Sequence, residues 1–176
     1  MKLLKEFSIQ FAGLTQGHHQ FEFQVNDSFF NNFKETEITD ARINVKIDLE
    51  KCERILMFSF WLKGVVSLTC DRCLDKFNYG IESQNKLIVK TGLSNMEETD
   101  EIISITEKEH EFNIAQFIYE YAHLALPVKR IHPDDENGNA KCNKEILEKL
   151  NKLKHTESIA GQDDPRWNIL EKLNFN

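Results

Sequence analysis

The stretch Ile43-Asn44-Val45-Lys46-Ile47-Asp48-Leu49-Glu50 decides the fold class of this 176-residue chain. Every second residue is aliphatic, and the residues between them are polar or charged. A period of two is the period of a β-strand with one buried and one solvent-exposed face, whereas a helix repeats its apolar positions every three or four residues. Residues 43–50 therefore predict a half-buried strand.

The chain on both sides of this stretch predicts more strands. Residues 55–62 (ILMFSFWL) are almost continuously apolar, which predicts a strand covered on both faces. Apolar residues also alternate over 7–11 and 21–25, and Gly13 and Gly17 predict a hairpin turn between these two strands.

Later segments complete a strand-rich first part. Residues 26–40 are polar and predict a loop whose phenylalanines, at positions 29, 30 and 33, pack on the core. Further strands are predicted at 77–81, 86–90 and 102–105, where β-branched and aromatic residues are frequent. About seven short strands without a helical pattern between them predict an antiparallel sandwich or a partly open barrel.

The second part of the chain is predicted to be helical. Asn113 can cap a helix that Pro127 ends. Asn143 precedes a second helical pattern, and Asp164-Pro165 begins a third, short helix. The apolar stripes are Ile114, Phe117, Ile118, Tyr121 and Ala125, then Ile146, Leu147, Leu150 and Leu153, then Trp167, Leu170 and Leu173.

Together these patterns predict an α+β fold in a single domain over residues 1–176. A strand-rich part covers 1–110, helices with a Cys/His segment cover 111–154, and a linker with a short closing helix covers 155–176. A hydrophobic content of 40% is enough for one sizeable core.

The charge is unevenly distributed along the chain, and its sign disfavours non-specific binding to nucleic acid. The net charge is -7, and residues 1–90 balance with 12 basic and 12 acidic side chains, so the whole deficit lies after residue 90. Seven acids between positions 97 and 111 predict a solvated face. Such a chain is not expected to bind nucleic acid non-specifically through charge alone, although a local basic face is compatible with it.

The compartment is predicted to be the cytoplasm. Charged and polar residues interrupt the first 14 residues, unlike a signal peptide, and no apolar window is long enough for a membrane span. Structural disulfides are rare in the cytosol, so the four cysteines are interpreted as buried thiols, metal ligands or redox groups.

The sharpest local motif is Cys70-Asp71-Arg72-Cys73. Two cysteines at this spacing can direct both sulfurs to one metal ion, and His132 and Cys142 flank a turn-rich loop that could supply the other two ligands of a tetrahedral site. Zinc there would staple the helical extension onto the strands. The alternative is two partly buried thiols and an unrelated Cys142.

A redox motif and other catalytic sites fit the sequence less well. A thioredoxin-like CxxC lies at the N-terminus of a helix in a βαβ unit, but here strand patterns flank the motif on both sides. The sequence contains no nucleophile elbow, P-loop, Rossmann fingerprint or HExxH motif. We therefore expect a protein that is not an enzyme and has no small-molecule substrate.

Four basic residues near the proposed metal ligands are candidates for RNA contact. Arg72 and Lys76 lie beside the cysteine motif, and the metal site, if it forms, brings Arg72, Lys129 and Arg130 into one neighbourhood. Phe77 and Tyr79 are then candidate stacking surfaces. The alternative is that the aromatic rings belong to the core and the basic groups are ordinary surface charges.

Three ordered motifs give the chain a family resemblance. They are Cys70-Asp71-Arg72-Cys73-Leu74 after Leu68-Thr69, Leu124-Ala125-Leu126-Pro127-Val128 followed by His132 and Cys142, and Asp164-Pro165-Arg166-Trp167. Over residues 43–176 the chain resembles the YceD-like family. The resemblance implies a cytoplasmic role in the synthesis, processing or stability of 23S ribosomal RNA, with Cys70, Cys73, His132 and Cys142 acting together.

Two functions are therefore expected. The first is a non-enzymatic factor for the large ribosomal subunit that binds its RNA or an assembly partner. The second is a zinc-stapled protein-interaction module that does not contact RNA.

Overall fold

The computed structural model describes residues 4–92, 99, 102–133 and 141–153. Its elements, after a 3₁₀ turn at Lys5–Phe7, are β1 (Ser8–Ile9), β2 (Gly17–Asn26), α1 (Asp27–Phe30), β3 (Thr39–Lys51), β4 (Ile55–Thr69), β5 (Lys76–Thr91), β6 (Ile102–Ile105), β7 (Phe112–Asn113), α2 (Ala115–Leu124) and α3 (Lys144–Leu153). The mixed α+β class predicted from the sequence is confirmed.

One five-stranded sheet dominates the described part of the chain, in the order β2-β3-β4-β5-β6. The first four strands are antiparallel neighbours, whereas β6 runs parallel to β5. The sheet is not closed into a barrel, because β2 and β6 lie at opposite edges and do not pair with each other. The closure needed for a barrel would require hydrogen bonds between those two edges. The predicted sandwich or partly open barrel therefore stays a prediction.

The alternation of residues 43–50 is confirmed as the pattern that buries one face of β3. Ile43, Val45, Ile47 and Leu49 are each at most 1% exposed. The polar residues between them lie on the other face of the sheet, where solvent reaches them.

Residues 55–62 form a strand as predicted, but the prediction that both of its faces are covered is wrong. Phe58 and Phe60 lie within the core, whereas Ile55 is 37% and Trp61 is 39% exposed. Trp61 stands between polar neighbours on β3 and β5, and no layer packs on that outer face in the described part of the chain. Its apolar residues are therefore half-solvated instead of buried.

The predicted hairpin between the first two strands is also wrong. The pattern over residues 7–11 shortens to β1, which pairs with β7 in a two-stranded ribbon. Phe7 packs against Phe23 with ring centroids 5.3 Å apart, and Ile9 is 3% exposed. These side chains are buried in the core, and Phe7 packs on a side chain of β2. β1 therefore contacts β2 through side chains and is not its hydrogen-bonded neighbour.

Two helices cover the same inner face. Phe29 and Phe30 of α1 are buried, as predicted for that aromatic cluster. In α2, Ile118 is fully buried and Tyr121 contacts Phe60 at 5.2 Å between ring centroids. The side-chain oxygen of Asn113 accepts a hydrogen bond from the backbone N–H of Ala115 (3.0 Å), which satisfies a free donor at the start of α2.

The last helix of the described residues, α3, packs weakly. Its start is capped by Asn143, whose side chain accepts a hydrogen bond from the backbone N–H of Glu145 (3.1 Å). Ile146 and Leu147 are partly buried, but no side chain of α3 is fully buried. Apolar burial therefore contributes little to its position.

Some predictions fall beyond the described residues. These are the linker at 155–162, the short helix beginning at Asp164-Pro165, and the acidic side chains at 97, 98, 100 and 101. Glu107, Glu109 and Glu111 are exposed, as expected for a solvated face. Among the described residues, no helix has the length and apolar character needed to cross a membrane.

Candidate metal centre

The turn that joins β4 to β5 carries the first two candidate ligands. We call residues 70–75 the cysteine turn. The Cys70 carbonyl accepts a hydrogen bond from the N–H of Leu74, and the Cys70 N–H donates to the carbonyl of Asp75, both at 2.9 Å. Leu74 has a positive φ of 62°, which helps to reverse the chain over this short segment. Both cysteine side chains consequently lie on the inner side of the turn.

A second segment, residues 127–133 and 141–153, contacts this turn through Arg130, His132 and Cys142, and we call it the docked segment. The Asp71 N–H donates to the carbonyl of Arg130 (2.6 Å), and the Arg130 N–H donates to the Asp71 carboxylate (2.8 Å). This reciprocal pair fixes the backbone just before His132. It thereby brings the imidazole next to the cysteines.

The four side chains proposed as ligands from the sequence meet at one point. The Sγ atoms of Cys70, Cys73 and Cys142 and the Nδ1 atom of His132 all lie within 4.8 Å of one another. The separations are 3.7 Å between the Cys70 and Cys142 sulfurs, 3.5 Å from Cys73 Sγ to His132 Nδ1, and 3.6 Å from Cys142 Sγ to the same nitrogen.

These separations fit the edges of a tetrahedron around zinc. With Zn–S of about 2.3 Å and Zn–N of about 2.0–2.1 Å, tetrahedral angles place two sulfurs about 3.8 Å apart and a sulfur about 3.6 Å from a nitrogen. A disulfide would bring two sulfurs to about 2.0 Å, and all four cysteines are free. The donor set and its spacing therefore suit a structural Cys3His zinc site.

The three cysteine ligands are buried, and an aromatic ring packs on the histidine. Cys70, Cys73 and Cys142 are at most 4% exposed, and the Phe77 ring packs against the His132 ring with centroids 4.9 Å apart. A histidine that presents Nδ1 to a metal directs its other ring nitrogen away from it, so the packed phenylalanine helps to hold the ring in that orientation.

The thiols differ in their readiness to ionise. Burial alone would raise the pKa of Cys70, but backbone N–H groups of Cys73, Arg72 and His132 directed at its sulfur lower that pKa to about 6. Burial raises the pKa of Cys142 to about 11, and the nearby Cys70 sulfur acts in the same direction. A lowered pKa makes the Cys70 thiol easier to deprotonate, which favours binding of a divalent cation.

The setting differs from that of a thioredoxin-like motif. Cys70 and Cys73 lie in a turn between two antiparallel strands, so neither thiol lies at the N-terminus of a helix. Both are also buried, whereas disulfide exchange requires a sulfur that a substrate thiol can approach.

The four basic residues proposed for RNA contact lie around the centre, but two of them are already paired. Arg130 forms an ion pair with Glu37, and Lys76 lies 3.9 Å from Asp40. Arg72 and Lys129 are exposed, and neither side chain forms an ion pair with a described residue. Asp71 and Asp75 belong to the same turn, so acidic groups accompany the basic ones.

Phe77 is not available as a stacking surface, because it is 8% exposed and its ring packs on His132. This packing role was not predicted from the sequence, although the alternation of Phe77 with Ile81 already placed both on the buried face of β5. The roles of Asp71 and Glu37 were also missed, since their partner Arg130 is 59 residues from the first and 93 from the second.

One family model, described as "Large ribosomal RNA subunit accumulation protein YceD", matches residues 58–174, which is more than half of the chain. The matched range contains all four candidate ligands and the four basic residues around them. No curated protein and no solved structure matches the chain.

Proposed function

The chain belongs to the YceD family of large ribosomal RNA subunit accumulation proteins, and from this premise we propose that it is a cytoplasmic, non-enzymatic factor for 23S ribosomal RNA. It supports the synthesis, processing or stability of that RNA by binding. Its working surface is the cysteine turn and the docked segment, held together by zinc.

The convergence of four soft or borderline ligands carries this proposal. Cys142 is the one buried side chain in the described residues of the docked segment, and it is also a candidate ligand. A bound ion would tie Cys73 to His132, which is 59 residues away in sequence. Since such a site does not exist in the unfolded chain, the free energy of metal binding adds to that of folding.

Elemental analysis tests the metal. Purified protein should contain about one zinc per chain, as a single four-ligand site requires. The Cys70→Ser, Cys73→Ser double variant should lose it. Cys52→Ser is the matched control, because Cys52 is exposed and lies outside the cluster. Equal zinc content in the double variant and the control would remove the proposed centre.

RNA contact is proposed through the basic groups around the centre. Arg72 and Lys129 are free to reach phosphates. To bind a phosphate, Lys76 would have to leave Asp40, and Arg130 would have to leave Glu37. With about two to four phosphate contacts, log K for a single strand falls with log salt at a slope of about −1.4 to −2.8. This modest slope matches a chain whose overall charge disfavours non-specific binding.

Cross-linking in cells followed by sequencing of the bound RNA tests this contact. We expect enrichment of 23S ribosomal RNA with the wild-type protein, and a clear loss in Arg72→Glu, Lys129→Glu. The control, Lys5→Glu, Lys86→Glu, changes the charge equally at exposed positions away from the centre. A signal no higher than that of an acidic control protein would rule out direct RNA binding.

The charges around the centre favour one alternative function. Glu37, Asp40, Asp71 and Asp75 offset the four basic groups, and a surface without net charge attracts RNA weakly. In this alternative the zinc-held surface binds an assembly protein and does not touch RNA. A protein that contains zinc, supports 23S ribosomal RNA accumulation and yields no RNA cross-link would favour it.

A further inference from the structure

The outer edge of β2 is the edge of the five-stranded sheet. All residues of β2 pair with β3, from Gly17 opposite Lys51 to Asn26 opposite Arg42. On its other side, β2 has no backbone partner among the described residues, since it is the first strand of the sheet. Its outward N–H and C=O groups form an open template for another strand.

This edge lacks the features that usually protect an exposed strand. Natural edge strands are shortened, bulged, or interrupted by proline and lysine. β2 contains no proline, lysine or arginine, its register with β3 is continuous, and Glu22 is its only acidic side chain. Its 10 residues also make it a long strand, since about five or six is typical.

The apolar side chains of β2 are incompletely covered. Phe21 and Phe23 point to the inner face of the sheet but remain half-buried, whereas Val45 and Ile47, their partners on β3, are at most 1% exposed. Both rings belong to the strand at the open edge of the sheet. A strand added there would extend the core by one row.

The sequence of β2 suits pairing with itself. In a twofold dimer, the apolar faces of both copies lie on the same side of the sheet only under one condition. Odd-numbered residues must oppose odd-numbered residues, and even-numbered residues must oppose even-numbered ones. Centring the axis on Phe21 or on Glu22 gives the longest overlap, all of β2 except one terminal residue. The Glu22 register places two carboxylates in contact, whereas the Phe21 register places Glu22 opposite Gln20 and Phe23 opposite His19.

We propose that β2 pairs antiparallel with β2 of a second copy of this chain, with Phe21 opposite Phe21, so that the two five-stranded sheets become one continuous sheet. The inference is independent of the metal centre and of RNA. It commits to a homodimer because the register that avoids charge repulsion also gives the longest pairing.

Sedimentation velocity of the full chain over a concentration series, at physiological salt, tests the proposal. The wild type should show a monomer–dimer equilibrium. Gln20→Glu places a new carboxylate opposite Glu22 at two symmetry-related points of the dimer, so its dissociation constant should rise about fivefold or more. Gln20→Lys forms two opposite-charge pairs and should lower the constant.

The control is Gln84→Glu, which makes the same change at an exposed position of β5, three strands away from β2 in the sheet. Its dissociation constant should equal that of the wild type. A monomer at all concentrations would overturn the dimer, and so would equal effects of Gln20→Glu and Gln84→Glu. Dimerisation without RNA cross-linking, or the reverse, separates this proposal from the function proposed above.

Discussion

In β3, four aliphatic side chains are at most 1% exposed, whereas Cys142 alone is buried among the described residues of the docked segment. β3 also pairs with a long strand on each side. The docked segment is joined to the cysteine turn by the reciprocal hydrogen bonds of Asp71 and Arg130 and by the four candidate ligands. The two regions belong to one fold but rest on different interactions.

The contrast gives a physical reason for the metal proposed at this point of the molecule. Burial of apolar area, at about 25 cal/mol per Å², stabilises the sheet without help. The two reciprocal hydrogen bonds contribute only about 1 kcal/mol each, too little to order a segment that also loses conformational entropy. We therefore expect the docked segment to depend on the proposed ion, and the sheet to be independent of it.

Removal of the metal should have the largest effect. Zinc binding in small zinc-dependent folds is worth about 10–16 kcal/mol, so a strong chelator should release the docked segment while the sheet stays folded. In hydrogen exchange, amides of α3 should lose their protection, and those of β3 and β4 should keep theirs.

Protein carrying Cys52→Ser should respond to the chelator as the wild type does. Equal loss of protection in α3 and β3 would show that the two regions unfold together, and the difference drawn between them would disappear.

A truncation in the sheet should come next in size. Phe60 is fully buried and its neighbour Trp61 points to the other face. Phe60→Ala should lower the free energy of unfolding by about 3–5 kcal/mol through lost burial and the cavity it leaves. Trp61→Ala, the control at the adjacent position, should cost less than half as much. Urea denaturation of the zinc-loaded proteins measures both, and similar losses would mean that the outer face is covered.

Most of the sheet could be predicted from the sequence, because a period of two is a local signal. The strands and the buried face of β3 follow from residues that are neighbours in the chain. The partner of β1 could not be predicted, because the pairing of Ser8 with Asn113 depends on which surface buries Phe7 and Ile9. The exposure of Trp61 was missed for a related reason, since a run of apolar residues does not reveal whether a second layer exists.

The candidate ligands of the centre could be proposed from the sequence, whereas the residues that position them could not. Cysteine and histidine are few enough in this chain for their spacing to suggest a metal. Asp71, Glu37 and Phe77 position the ligands, but aspartate and glutamate are common on any surface and phenylalanine is common in strands. Their presence alone therefore does not reveal a role. Their roles depend on contacts between distant parts of the chain, which local patterns do not encode.

A glycine substitution tests how closely β3 and β4 must approach. β3 shifts its register between Thr39 and Arg42, and a Cβ built on Gly64 would overlap the backbone of Arg42 and Ile43. Gly64→Ala should destabilise the protein by about 1–3 kcal/mol through overpacking. Gly80→Ala is the matched control, because the nearest atom to its Cβ would be 4.0 Å away, and it should be neutral or slightly stabilising. Equal thermal shifts in the two variants would show that the strands adjust freely.

The smallest effect is expected at the ion pair that connects the docked segment to the loop before β3. A hydrogen bond from Arg130 lowers the pKa of Glu37 below its ordinary value of 4.5. The stabilisation is therefore fully present above pH 4.5 and is lost only as the pH falls through the lowered value. Because the Glu37 side chain is 60% exposed, the pair should contribute less than about 1 kcal/mol.

Glu37→Gln should thus weaken zinc binding by at most about fivefold in a competition assay with a chelator, with Glu35→Gln as a control in the same loop. Zinc affinity itself should rise with pH as the thiols lose their protons. The ratio between wild type and Glu37→Gln should stay constant from about pH 5 to 8, since Glu37 remains ionised throughout that range. A ratio that changes with pH would show that Glu37→Gln acts on the protonation of the thiols and not through the ion pair.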